Sequence, residues 1–318
     1  MVTVDRRTLL KAGATATAAG ALGMTTTGTA AAAVPTPTIH PTSEWGARPA
    51  AGTIVVENHK PTYIVVHHAV DPPMNNDFSL ARAFYVSRYI QNLHMDKNGW
   101  IDSGQQFTNS RGGFVTEGRH RSLEILRGGT QHVQGANVAN HNSEVIGIEN
   151  EGLYSTVDVP QALWDSLVGL VAYIAHQYGI SPEFIKGHRD FNSTECPGQV
   201  LYNRLPELRT AVGRVLGVSV ARAEAEWPLL KPGATGRKVQ LAQEFLRETG
   251  FDVPTDGVFG QSTKDAVATL SARAGLGRDT CNAAKAADET GFLGADVWPL
   301  IVPGGRSAAA WRSDLSEI

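Results

Sequence analysis

His188 and Cys196 stand eight residues apart, joined by a polar loop and followed by Pro197-Gly198. An imidazole and a thiol at that spacing can converge on one ion. Upstream, His67-His68 follows the apolar run Tyr63-Ile64-Val65-Val66, and a strand end holds a ligand side chain firmly by packing. Two imidazoles and a thiolate suit zinc, and three protein ligands leave a fourth position for water, as a catalytic site requires. Two other readings stay open on the residues alone. Cys196 could be a nucleophile with His188 as its base, although an activated thiol usually opens a helix and this one precedes a proline. Cys196 could also pair with Cys281 in a disulfide, which an exported chain permits.

A carboxylate close to such an ion would move protons. Glu149 ends the apolar run Val145-Ile146-Gly147-Ile148, where burial would favour a raised pKa. Glu151 shares its face only if the extended structure continues.

The elements that must position these groups alternate. Tyr63–Val66 and Val145–Ile148 read as short buried strands. Apolar residues fall on one face of a helix over Asp77–Met95, and another over Gln161–Tyr178 closes at Gly179. Leu205, Leu208, Val212 and Val215 make a third helix, ending at Gly217. Strands alternating with helices predict an α/β domain over residues 42–216. A linker follows at 217–226. Residues 227–302 have their own texture, with helical patterns over Lys238–Thr249 and Ser262–Gly275 between glycines. Residues 303–318 read as a frayed tail.

The chain has 318 residues, 42% of them hydrophobic and 19% charged, which is globular composition. A net charge of −3 gives no electrostatic case for nucleic acid or for a polybasic membrane contact. Two cysteines exclude a disulfide-dense scaffold. At the N-terminus, Arg6-Arg7 precedes Leu9-Leu10-Lys11 and the uncharged stretch Ala12–Ala33. Residues 1–33 therefore read as a signal peptide of the twin-arginine type, and the expected location is outside the cell or in the wall.

Several separated motifs, in order, resemble the zinc-dependent N-acetylmuramoyl-L-alanine amidases (amidase type 2 and peptidoglycan recognition proteins). They are Ser43-Glu44-Trp45-Gly46-Ala47-Arg48, Tyr63–His67, Gly147-Ile148-Glu149-Asn150-Glu151-Gly152, Gly187-His188 and Cys196-Pro197-Gly198. The resemblance implies a mixed central sheet flanked by helices, with His67, His188 and Cys196 holding one zinc ion. It implies Glu149 as proton shuttle and Thr194 as a hydroxyl that helps hold the oxyanion. Recognition proteins that only bind have typically lost the cysteine, so its presence favours catalysis.

Two departures stand out. Gln105 occupies the place of an assisting tyrosine after Asp102-Ser103-Gly104, and Asn137 replaces a groove histidine. Gln105, Asn137, Asn142 and His68 are the expected substrate-binding residues. Residues 227–302 resemble a three-helix peptidoglycan-binding domain of type one, through Asp256-Gly257-Val258-Phe259-Gly260 and a degenerate second half. There Asp288-Glu289-Thr290-Gly291 is longer than the usual Asp-Gly, and Cys281 lies in an insertion. The implied function is an exported, monomeric zinc amidase that cuts between N-acetylmuramic acid and L-alanine of peptidoglycan. The alternative is a non-catalytic wall-binding protein that uses the same groove. Cys196 as a ligand leaves Cys281 a lone thiol and the chain without a disulfide.

Overall fold

The computed structural model describes residues 33–276 and 288–318. The expected signal segment, save Ala33, and Cys281 lie outside the described residues. The strands are β1 Ile39–His40, β2 Val56–Glu57, β3 Tyr63–Ala69, β4 Phe107–Asn109, β5 Val115–Glu117, β6 His132–Val133, β7 Val145–Glu151 and β8 Ile185–Gly187. The α-helices of the first domain are α1 Thr42–Trp45, α2 Leu80–Lys97, α3 Ser122–Gly128, α4 Gln161–Tyr178, α5 Gln199–Asn203 and α6 Leu205–Leu216.

Six strands form one sheet in the order β1-β5-β4-β7-β3-β8, while β2 and β6 pair apart as an antiparallel ribbon. The sheet is mixed: only β4 and β5 run antiparallel. The fold is thus the α/β arrangement with a mixed central sheet that the sequence predicts. Both central strands outrun their apolar runs by three residues. β3 and β7 pair in parallel from Tyr63↔Val145 to Ala69↔Glu151, so backbone hydrogen bonds carry the polar ends that hydrophobic pattern cannot mark.

Side chains alternate between the two faces of a strand. Ile64, Val66, Ile146 and Ile148 pack with Leu163, Leu167, Leu170 and Ile174 of α4 and with Leu208 and Val212 of α6. Each such burial contributes about 1.5–3 kcal/mol, so this face anchors the domain and frees the other for chemistry. On that other face, Ala69 meets Val86 and Ile90 of α2 together with Cys196. Helix α2 starts later than its apolar spacing suggests, because the Ser79 side chain caps it by accepting from the Arg82 amide.

The C-terminal residues build a second core around Trp227, Val239, Leu246, Phe259, Val267 and Trp298. Its helices are α7 Arg237–Glu248, α8 Gln261–Arg273, α9 Trp298–Ile301 and α10 Ala308–Glu317. The Asp256-Gly257 turn forms as its residue types require. Gly257 is left-handed at φ 73°, Asp256 accepts from the Val258 amide, and Phe259 is buried. A backbone bridge between Leu230 and Leu293 joins the two ends of the module.

Residues 303–318 are not a frayed tail. Ser307 caps α10, Leu315 is fully buried, Trp311 packs edge-on against Phe245 at 5.3 Å, and Arg312 donates to the Ala225 carbonyl. An alanine-rich opening and few large apolar residues hide this helix from periodicity. Among the described residues the C-terminal module thus carries one helix, α10, beyond the extent expected for it. No helix among the described residues is long and apolar enough to cross a membrane.

Candidate metal centre

Three side chains from three places in the chain meet on the α2 face. His67 lies in β3, His188 directly follows β8, and Cys196 ends the loop that leads to α5. Each offers a ligand atom, all of these lie within 4.8 Å of one another, and all three residues are fully buried. Cys196 Sγ is 3.6 Å from His67 Nδ1. A tetrahedral zinc ion sets its sulfur and nitrogen ligands about 3.5 Å apart, so the set fits zinc in size as well as in donor type.

Supporting contacts orient the ligands. His188 Nε2 meets Asn192 Oδ1 at 3.2 Å, and the His68 backbone amide donates to Cys196 Sγ at 3.4 Å. Such outer contacts set the orientation and basicity of a ligand. Burial, then His188, holds His67 well below its ordinary pKa. Burial, then the Glu149 carboxylate, pushes the Cys196 thiol well above its own. A cation reverses the thiol's preference, because it supplies the positive charge that the buried sulfur lacks.

Glu149 pairs with His67 in the register of β3 and β7, and Thr108 of β4 pairs with Glu149 on its other side. The three side chains therefore form a row across the sheet on the α2 face. Glu149 is fully buried there. Gln105 is fully buried too and donates through Nε2 to Thr108 Oγ1 at 2.8 Å. The residue in the tyrosine's place thus reaches the end of the row through a hydroxyl. Extended structure does continue to Glu151, but Arg82 Nε and the Arg111 amide occupy its two oxygens at 2.7 and 3.0 Å.

The other expected binding residues are placed differently. His68 shares the face of Ile64 and Val66, so its side chain points away from Cys196 and into the layer beneath the sheet. Asn137 is buried; its Nδ2 donates to the Gly104 carbonyl and to Gln106 Oε1, and its side chain also acts on the His67 ring. It supports the site from behind instead of lining an open groove. Asn142 accepts through Oδ1 from the amides of Asn137 and Val138, which makes it a loop-shaping residue. Gly147 makes room for this arrangement: a Cβ there would lie 2.3 Å from Asn137 Oδ1.

Thr194 accepts from the Cys196 amide at 3.1 Å. Its hydroxyl donates to Glu289 Oε1 at 2.9 Å, and the Glu195 amide donates to the same oxygen at 2.7 Å. Glu289 comes from the C-terminal module. Around it, Ser193 donates to Asp296 and accepts from the Gly294 amide, and Lys231 pairs with Glu195. Sequence reasoning gives Glu289 no role. The available signal is the lengthened Asp288-Glu289-Thr290-Gly291, where the departure from pattern is what reaches the site. Sequence reasoning likewise gives Asn192 no role.

The model of the N-acetylmuramoyl-L-alanine amidase family (Amidase_2) matches residues 57–199. Peptidoglycan-recognition protein SC2 of Drosophila melanogaster is 34% identical over 174 residues, which cover 54% of this chain and 85% of that protein. An N-acetylmuramoyl-L-alanine amidase of Sus scrofa is 30% identical over 206 residues, 63% of this chain but only 32% of the pig enzyme's length. Among solved structures, wild-type Drosophila PGRP-LB is similar at 26% identity, with 53% of this chain and 92% of that chain covered and a TM-score of 0.46.

Proposed function

The chain belongs to the family of N-acetylmuramoyl-L-alanine amidases and peptidoglycan-recognition proteins, and from that premise we propose that it is a zinc-dependent amidase that cuts peptidoglycan between N-acetylmuramic acid and L-alanine. One observation carries the catalytic reading: His67, His188 and Cys196 converge with spacing and donors that suit a tetrahedral ion. Zinc held by these residues supplies Lewis acidity and lowers the pKa of water toward about 7.

The chain's own residues do the rest. Glu149, next to His67 in the sheet, takes up a proton on its carboxylate and returns it to the leaving amine of L-alanine. The Thr194 hydroxyl donates to the scissile carbonyl oxygen as that oxygen gains charge. Gln105 has no titratable proton, so its amide orients Thr108 and leaves proton transfer to Glu149. Arg82 neutralises Glu151 and so keeps a second free carboxylate off the same buried face.

The reading includes export, supported by Arg6-Arg7 ahead of the uncharged stretch Ala12–Ala33. It includes retention on the wall by the C-terminal module, supported by the Asp256–Gly260 turn. A second reading, binding without cleavage, draws on Gln105 in the tyrosine's place and on Glu289 occupying the Thr194 hydroxyl. Digestion of defined muropeptides with and without a chelator, read by mass spectrometry, decides between them. Chelator-sensitive release of L-alanine-terminated peptides supports the amidase; intact muropeptides retained on the metal-loaded protein support the binder.

A further inference from the structure

A second cluster of metal-type ligands lies in the ribbon of β2 and β6, away from the six-stranded sheet. Glu57 Oε2 stands 3.1 Å from His132 Nε2 and 3.3 Å from His59 Nε2. The far side of each group is already engaged. His132 Nδ1 contacts the His59 carbonyl at 3.0 Å, and His59 Nδ1 contacts the Lys60 carbonyl at 3.1 Å. Glu57 Oε1 accepts from Gln134 Nε2 and from Ser143 Oγ.

These outer contacts fix the chemistry of the inner atoms. A carbonyl only accepts, so the Nδ1 that meets it is the donor, and in a neutral ring Nε2 then presents a lone pair. Both lone pairs then face one carboxylate oxygen, an assembly of three acceptors. Indeed Glu57 Oε2 and His132 Nε2 are buried without a well-formed hydrogen bond, and the Ser143 backbone, itself an acceptor, also acts on the His132 ring. A cation, or protons added to the rings, would satisfy all three together. His132 is fully buried, so an imidazolium there would surrender its hydration. Tetrahedral zinc with nitrogen and oxygen ligands separates them by about 3.3 Å, close to both observed distances.

We propose that Glu57, His59 and His132 form a second binding site, for a divalent cation of the zinc class, that ties β2 to β6. Its chemistry is that of a two-histidine, one-carboxylate site with an open fourth position. His59, at 55% exposure, is the entry side.

The test uses the full chain titrated with zinc chloride by calorimetry. Cys196→Ala removes a ligand of the first site, so this variant is expected to keep one zinc equivalent with Kd below about 10 μM. Adding His132→Ala should abolish it. Removing the buried His132 ring also costs packing in the ribbon, so Glu57→Gln is the decisive variant: its amide keeps an oxygen for Gln134 and Ser143 and offers N–H to the ring lone pairs. In the Cys196→Ala background, Glu57→Gln should fold without metal yet lose the zinc equivalent and the zinc-dependent rise in Tm. A Cys196→Ala chain that binds no zinc, or one whose zinc equivalent survives Glu57→Gln, overturns the proposal. The first site and the amidase reading are unaffected by either result.

Discussion

The Glu289 carboxylate of the C-terminal module accepts hydrogen bonds from both the Thr194 hydroxyl and the Glu195 amide, two residues and one residue ahead of Cys196. In the proposed mechanism the Thr194 hydroxyl is the donor that a substrate carbonyl oxygen would use as it gains charge. A hydrogen bond to a charged group is worth about 1.5–3 kcal/mol, so the carboxylate competes measurably for it. Glu289→Ala should raise kcat/KM on soluble muropeptides by about tenfold, since ~1.4 kcal/mol is a factor of ten. A fall in kcat/KM would show that the carboxylate assists the reaction instead.

Glu149→Gln keeps size and packing but removes the proton acceptor. The expected loss in kcat is about 10²–10⁴-fold, with zinc content at the first site unchanged by metal analysis. Wild-type turnover in this variant would end the case for Glu149 as shuttle. Gln105→Ala should cost far less, because its amide reaches the site only through Thr108.

Cys196→Ala should abolish chelator-sensitive cleavage. Pull-down on insoluble peptidoglycan should persist, because the C-terminal core does not involve the thiol. Loss of both together would mean that the helical module does not hold the wall by itself.

His120 Nδ1 and the His120 amide both contact Asp102 Oδ2 at 2.8 Å. The Asp102 hydrogen bond raises the His120 pKa above its ordinary value. Asp102 stays below its own: burial pushes it up, but hydrogen bonds from His120 and Gln91 outweigh that. A histidine raised on folding stabilises fully below its unfolded pKa of about 6.5, and that contribution fades as pH rises through the folded value. The Tm difference between wild type and His120→Gln should therefore be largest near pH 5.5–6 and shrink toward pH 8.5 (about the span of the histidine titration). Melting curves across that range check it, and a gap that widens with pH contradicts it.

Gly147→Ala should destabilise by about 1–3 kcal/mol, the usual cost of overpacking, because the new Cβ would lie 2.3 Å from Asn137 Oδ1. The double variant with Asn137→Ser should recover part of the loss, since the two sites couple directly. Denaturant midpoints measure both.

Much of this molecule is legible from residue types. Tyr63–Val66, Val145–Ile148 and the helix over Gln161–Tyr178 announce themselves because burial selects apolar residues in fixed periods. The candidate ligand trio is legible for another reason: His188 and Cys196 are residue types that suit a metal, and the family resemblance singles out His67 beside them. What escapes is set by partners distant in sequence. His68 and His67 are alike in type, and only strand alternation separates a candidate ligand from a residue beneath the sheet. Glu151 resembles Glu149 until Arg82 is seen to bind it. Glu57, His59 and His132 never look like a set, since β2 and β6 are far apart along the chain and meet only in the ribbon. Helix α10 hides because small residues pack as well as large ones when Trp311 and Leu315 supply the contact.

The loop Ser193–Glu195 bears the polar contacts with Lys231, Glu289, Gly294 and Asp296. Cys196 follows it without an intervening residue. A shift of the helical module would thus pull on the backbone that carries the sulfur. The loop is thus one place where a shift of one half of the chain would be passed to the candidate metal centre of the other.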